Sequence, residues 1–181
     1  MDLSSQAITA AVPAATRRLA VVQSAVTVGP LVFLGVVLGL QIAGPTEPIL
    51  LEPSVLDILS LVHGVLALST VPLSVFVLPG LLQSPNRFEP CAALARTDEA
   101  AAIRCLFGVL MRERMVPIAL LEGTAIFGIV VCLLAVLAGT ATEHPIYWLN
   151  AATTAVLLLI SLATFPTAAR VADMVERLTG R

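Results

Sequence analysis

Long apolar runs alternate along this chain with short polar connections, and few polar residues interrupt the runs. Four runs stand out, at Leu19–Ala43, Val55–Pro79, Val116–Gly139 and Tyr147–Ala169. Each covers 23 to 25 residues, and roughly 20 suffice to cross a ~30 Å hydrocarbon layer. A helix packed on a soluble core keeps a polar face, whereas these runs are apolar all round. The pattern predicts an all-α integral membrane protein with four transmembrane helices. Arg17 and Arg18 ahead of the first run raise a secretory signal as an alternative. A signal's apolar region is about 7–15 residues and ends at a small-residue cleavage site. The first run is longer and "LQIAGPTEP" matches such a site poorly, so it is read as a retained span.

Composition agrees. The chain is 58% hydrophobic and 12% charged, with mean hydropathy +0.99, against about 45–50% apolar residues in soluble domains. Twelve acidic residues face ten basic ones, so nothing argues for a nucleic-acid partner. All ten basic residues are Arg: two before the first span, five between the second and third, and three after the fourth. The connections "GPTEPILLEPS" and "TATEHP" hold none. The positive-inside rule then puts both termini in the cytoplasm of a bacterial inner membrane. Tyr147 and Trp148, at the outer start of the fourth span, suit an interfacial aromatic belt.

The halves of the chain resemble each other. "RLAVVQSAVTVGPLVFLGVV" from Arg18 aligns with "RERMVPIALLEGTAIFGIVV" from Arg112, pairing Ala25, Gly29 and Phe33 with Ala119, Gly123 and Phe127 (123 − 29 = 94). The same offset lays Thr70 and Pro72 on Thr164 and Pro166 (166 − 72 = 94). Two tandemly repeated hairpins are expected, at 19–79 and 116–169, both running in–out–in. Around them lie a cytoplasmic N-terminal segment (1–18), a connector (80–115) and a C-terminal tail (170–181). The first sixteen residues, small and polar, are expected to be disordered. In the connector, "QSPNRFEPCAALA" reads as turns and "TDEAAAIRCLFGVLMRER" as a helix capped by Thr97. Ile103, Leu106, Phe107 and Leu110 share one face of it. Such a helix either lies at the membrane interface or leads directly into the third span. Cys91, Cys105 and Cys132 are widely spaced and are read as unpaired thiols.

One carboxylate interrupts the third span, in "PIALLEGTAIFG". Glu122 lies eight residues past Arg114, about 12 Å along a helix axis and so in the cytoplasmic third; a charge at the bilayer centre costs about 2.5–3.5 kcal/mol, less towards the interface. It must find polar partners or hold a proton. Gln23, Thr27, Thr70, Ser74 and Thr164 lie at similar depth, so an inward polar layer is expected, with Glu122 bonded to at least one of them. Gly29 and Gly123 are expected to let neighbouring helices approach. His63 sits about ten residues, roughly 15 Å, further out and reads as a neutral, hydrogen-bonded ring. Gly35-x3-Gly39-x3-Ala43 and Ala135-x3-Gly139 form small-residue ladders of the kind that permits close helix association.

The "EGTAIFG" segment and the duplicated hairpins resemble the proteolipid c-type subunits of rotary ATPases, which implies an ion-binding carboxylate. That family places its carboxylate at mid-membrane in a hairpin's second helix and its termini oppositely. The overall plan, with Arg-rich ends and "ALLEG" in the third helix, is also similar to uncharacterised four-helix bacterial membrane proteins. No HExxH, GxSxG or P-loop is present, and no enzymatic activity, metal or cofactor is expected. Two functions follow. The first is helix association in the bilayer, as a homo-oligomer or an accessory subunit of a larger membrane complex. The alternative is proton or cation handling at Glu122.

Overall fold

The computed structural model describes residues 5–44, 48–78, 81 and 89–179, and every regular element among them is helical. In chain order they are α1 (Ser5–Ala43), α2 (Pro53–Pro72), α3 (Glu89–Leu94), α4 (Glu99–Leu137), α5 (Ala152–Ala163) and α6 (Ala168–Thr179). A π-helical turn, Leu73–Val77, extends α2, and a 3₁₀ segment, Pro145–Ala151, leads into α5. Four stretches, Ala10–Ala43, Pro53–Val77, Glu99–Leu137 and Pro145–Ala163, are long and apolar enough to cross a membrane. Part of the turn-rich connector expected from sequence, residues 82–88, lies outside the described residues.

Local chemistry explains the boundaries. Pro53 opens α2 at a position that needs no backbone donor. Gly44 (φ +75°) and Gly139 (φ +72°) end α1 and α4 in the left-handed conformation that favours glycine. Pro72 supplies no N–H, and the helix continues past it with wider π-type bonds, Leu78 donating to the Leu73 carbonyl. Pro166 stops α5. Asp98, rather than Thr97, caps α4, its carboxylate accepting from the Ala101 N–H at 3.0 Å.

Half of the most apolar window of α4 is buried, against 17% in α1 and in α2. α4 is therefore the central helix. It packs against α5, with α1 and α2 flanking the pair and making almost no contact with each other. The two sequence halves are thus packed unequally, one contributing a flanking helix where the other contributes the centre.

At the Arg-rich end the chain is more ordered than its composition suggests. α1 and α4 each span 39 residues, about 58 Å at 1.5 Å per residue, nearly twice a ~30 Å hydrocarbon layer. Their first turns project beyond the membrane-length bundle and build a second core. Val12, Ala15 and Leu19 of α1 are buried there with Ala102, Leu106 and Leu110 of α4 and Val171 and Val175 of α6. The expected disordered start is consequently helical from Ser5, and the expected tail is mostly α6. The connector helix runs unbroken into the third span, its apolar face covered by protein.

The cysteine expectation is corrected as well. Cys91 and Cys105 form a disulfide, with Cα atoms 5.4 Å apart, and only Cys132 is free. The turn at 95–98 folds α3 back on α4 and brings two residues 14 positions apart together, a juxtaposition that spacing alone does not reveal.

Candidate functional site

The best-connected polar cluster lies at the end of the bundle opposite the arginines, between α2 and the 3₁₀ segment with the start of α5. Asp57, Ser60 and His63 recur every three residues along α2, and Tyr147, Asn150 and Thr153 recur every three along the facing segment. In a 3₁₀ helix, residues three apart eclipse one another, so Tyr147 and Asn150 line up, and Thr153 follows in the first turn of α5. The two files meet in rungs, each joining residues 90 positions apart. The Tyr147 hydroxyl donates to Asp57 Oδ1 at 2.9 Å. Asn150 Nδ2 donates to Ser60 Oγ at 3.0 Å and to the Tyr147 carbonyl at 2.9 Å. His63 Nε2 lies 3.2 Å from Thr153 Oγ1, and His63 Nδ1 lies 2.9 Å from Asn150 Oδ1.

The pattern of donors assigns the histidine tautomer. Both donations of the Asn150 NH₂ group are spent elsewhere, so the oxygen facing His63 can only accept. The proton of a neutral ring therefore sits on Nδ1, and Nε2 presents a lone pair to Thr153. That hydroxyl also lies 3.2 Å from the Asn150 carbonyl and can turn its single proton either way. The ring is 3% exposed, tilted against Phe127 with centroids 6.0 Å apart, and interacts with the Thr124 backbone.

Gly128 makes this cluster possible. A Cβ there would collide with the Asn150 carbonyl oxygen and lie 2.7 Å from His63 Nε2. Only a residue without a side chain lets α4 approach so closely. The glycines expected to serve close approach do not do so within this chain. A Cβ on Gly29 would meet only Glu122 Oε1, at 3.9 Å, and Gly35, Gly39 and Gly123 have nothing within 4 Å. Gly139 lies beyond the end of α4, so the Ala135-x3-Gly139 ladder is not a helical face.

Towards the Arg-rich end the polar interior continues. Thr70 and Thr124 pair at 3.0 Å. Gln23 Nε2 donates to the Ser161 carbonyl at 2.7 Å and to Thr164 Oγ1 at 3.3 Å, and the Thr27 hydroxyl lies 2.9 Å from Ser161 Oγ. Ser74, one turn past Thr70, is buried. The expected polar residues thus do turn inward, but Glu122 does not join them. It is half-buried beside Gly29, where α1 and α4 meet, and no hydrogen bond reaches its carboxylate among the described residues. Thr124 bonds inward to Thr70. Glu122, two residues earlier, is turned about 200° from it on a helix of 3.6 residues per turn.

One further expectation changes. Tyr147 is 4% exposed and points into the protein, where Asp57 holds it, instead of joining an aromatic belt. The cluster of Asp57, Ser60, Asn150 and Thr153 was missed from sequence, although the matched three-residue spacing around His63 carries its signal. Among the described residues no three His, Cys, Asp or Glu side chains gather as a metal site would require. No protein-family model matches the chain, and neither a characterised protein nor a solved structure is significantly similar to it.

Proposed function

We propose that this chain is a multi-pass protein of a bacterial cytoplasmic membrane, with both termini inside, that handles protons through its buried polar file by way of His63. The observation behind this reading is the His63 ring held between Asn150 Oδ1 and Thr153 Oγ1 within an apolar span. Ionisable groups inside a membrane are costly and point to function by default, and imidazole is the side chain suited to gaining and losing a proton near neutrality. The acceptor oxygen of Asn150 keeps Nδ1 protonated, so Nε2 is the atom that takes up a further proton. Thr153, able to donate to Nε2 or to the Asn150 carbonyl, releases the lone pair when it turns away. Tyr147 and Asp57 extend the file outward, and Thr124 with Thr70 extends it towards the cytoplasm. Glu122, half-buried where α1 and α4 meet, lies off this route.

The test uses bilayer samples of the His144→Gln variant, leaving His63 as the single histidine, labelled with ¹⁵N. Solid-state NMR should find Nδ1 protonated and Nε2 bare at pH 8, and a doubly protonated ring growing in as pH is lowered towards 5. A ring protonated on Nε2 alone, or unchanged across that range, removes the reading.

A second reading, helix association as a homo-oligomer or accessory subunit, is favoured by the open face of α1. Gly35, Gly39 and Ala43 are exposed, and nothing lies within 4 Å of a Cβ built on either glycine. If this ladder is used at all, its partner is another chain. Mass measurement from native membranes, as an oligomer or a co-purifying complex against a monomer, decides it.

A further inference from the structure

At the Arg-rich mouth of the bundle, between the π turn after α2, α4, the end of α5 and α6, lies a cavity of about 340 Å³. Its size is in the range of small-ligand sites. The walls facing the bundle are apolar, from Pro117, Ile118 and Ile160, and its polar lining includes Ser74, Arg114 and Glu113.

Ser74 is the first sign that something binds here. Several hydroxyl residues in these helices return their proton to the carbonyl four residues back. Thr27, Ser69, Thr70, Thr124 and Thr164 all do so. Ser74 sits inside the π turn, and the carbonyl it would use, that of Thr70, already accepts from the Leu73 N–H. Its Oγ is buried, 4% exposed as a residue, and has no hydrogen-bond partner. Thr16 and Thr154 are also buried without a partner, but of the three only Ser74 lines this cavity, where a ligand could supply one.

Arg114 is the second sign. Its Nη2 donates to Met174 Sδ at 3.2 Å, a weak acceptor for a group with five donors. Arg170 stands near enough for the two charges to repel, and its Nη1 closes the end of α5 by donating to the Ala163 carbonyl at 2.7 Å. Glu113 and Arg114 are the two charged residues of the lining, and Arg170 stands just outside it. A guanidinium fork with donors to spare and a hydroxyl without a partner are groups that a phosphate oxygen can engage. Apolar walls above them suit an acyl or glycerol portion.

We infer that this cavity binds the phosphate group of an anionic amphiphile, with Arg114 and Ser74 as donors, and that an anionic phospholipid of the surrounding membrane is the occupant. Basic pockets between helices on the cytoplasmic side are suited to such headgroups. The inference does not depend on proton handling, since neither residue belongs to the His63 cluster.

The experiment is native mass spectrometry of the full chain in an uncharged maltoside detergent. It is titrated with dioctanoyl phosphatidylglycerol, with dioctanoyl phosphatidylcholine, and with inorganic phosphate as competitor. The expected result is saturable binding of the anionic lipid, displaced by phosphate. Binding should weaken at least tenfold in Arg114→Gln and several-fold in Ser74→Ala, be unchanged in Arg104→Gln, and strengthen in Glu113→Gln. Phosphate binding as tightly as the lipid keeps the anion site and reassigns its occupant to a free anion. Ser74→Ala removes one oxygen without changing the backbone, so it decides the matter if Arg114→Gln does not fold. Wild type and Ser74→Ala binding the lipid equally, or phosphatidylcholine binding as well as the anionic lipid, overturns the inference.

Discussion

Replacing Gly128 with alanine adds one methyl group at the tightest point of the bundle. The new Cβ collides with the Asn150 carbonyl oxygen and lies 2.7 Å from His63 Nε2 and 2.9 Å from His63 Cε1. The carbonyl is backbone, so it cannot swing aside as a flexible side chain would. Either α4 or the 3₁₀ segment must move by about an ångström, a repacking strain of roughly 1–3 kcal/mol. That displacement also loosens the bonds from His63 to Asn150 and to Thr153, each worth about 0.6 kcal/mol in a membrane bundle. The sum is about 2–4 kcal/mol, or roughly 4–16 °C in midpoint at ~2–4 °C per kcal/mol for a chain of this size. Cys132 provides the assay. Its thiol is buried, 1% exposed, and donates to the Tyr147 carbonyl at 3.3 Å, so it reports opening of the same seam. In a thermal ramp with a thiol-reactive fluorogenic dye, Gly128→Ala should label at a markedly lower temperature than wild type. A midpoint within 1 °C of wild type would show that His63 and Asn150 are not packed against Gly128 as described.

Nothing among the described residues lies within 4 Å of a Cβ built on Gly35 or Gly39, so Gly35→Leu and Gly39→Leu should both melt within about 1 °C of wild type in the same assay; a drop comparable to that of Gly128→Ala would place the ladder inside the fold. Tyr147→Phe deletes the donor to Asp57 and should cost roughly 0.6–1.7 kcal/mol, with Asp57→Asn adding little on top; additive losses in the double-mutant cycle would deny the bond. The Cys91–Cys105 bridge closes a loop of about 15 residues and should contribute about 3 kcal/mol where it is oxidised, so reductant should expose α3 to protease and leave Cys132 protected. In intact cells the proposed cytosolic location of this end would keep the two thiols reduced, and mass-tagging with a permeant maleimide should then label both; quantitative oxidation in vivo would instead put the Arg-rich end outside.

The four long apolar helices were legible because a membrane demands long unbroken apolar stretches, and residues such as Val55–Pro79 satisfy that without reference to the rest of the fold. The inward placement of Gln23, Thr27, Thr70 and Thr164 was legible for the same reason, polar atoms being expensive against lipid. Angular position was not. Glu122 and Thr124 are two residues apart, and only the packing of α1 and α2 on α4 decides which of them enters the interior. The second core was hidden because Val12 and Ala15 stand in a segment whose small and polar residues look disordered alone, and the partners that bury them come from α4 and α6. The His63 cluster needed a contact between segments 90 residues apart. Its clue, two polar sets with matching three-residue spacing, becomes visible only when both are laid side by side.

The central claim is proton movement by way of His63, and flux in vesicles tests it most directly. Purified chain is reconstituted into liposomes with a pH-sensitive dye inside, an imposed pH difference, and valinomycin with potassium to hold the voltage. Wild-type vesicles should dissipate the gradient faster than empty ones, His63→Gln should fall to the empty-vesicle rate, and Glu122→Gln should keep the wild-type rate. Wild-type vesicles no faster than empty ones, or a flux that survives His63→Gln and is lost in Glu122→Gln, would contradict it.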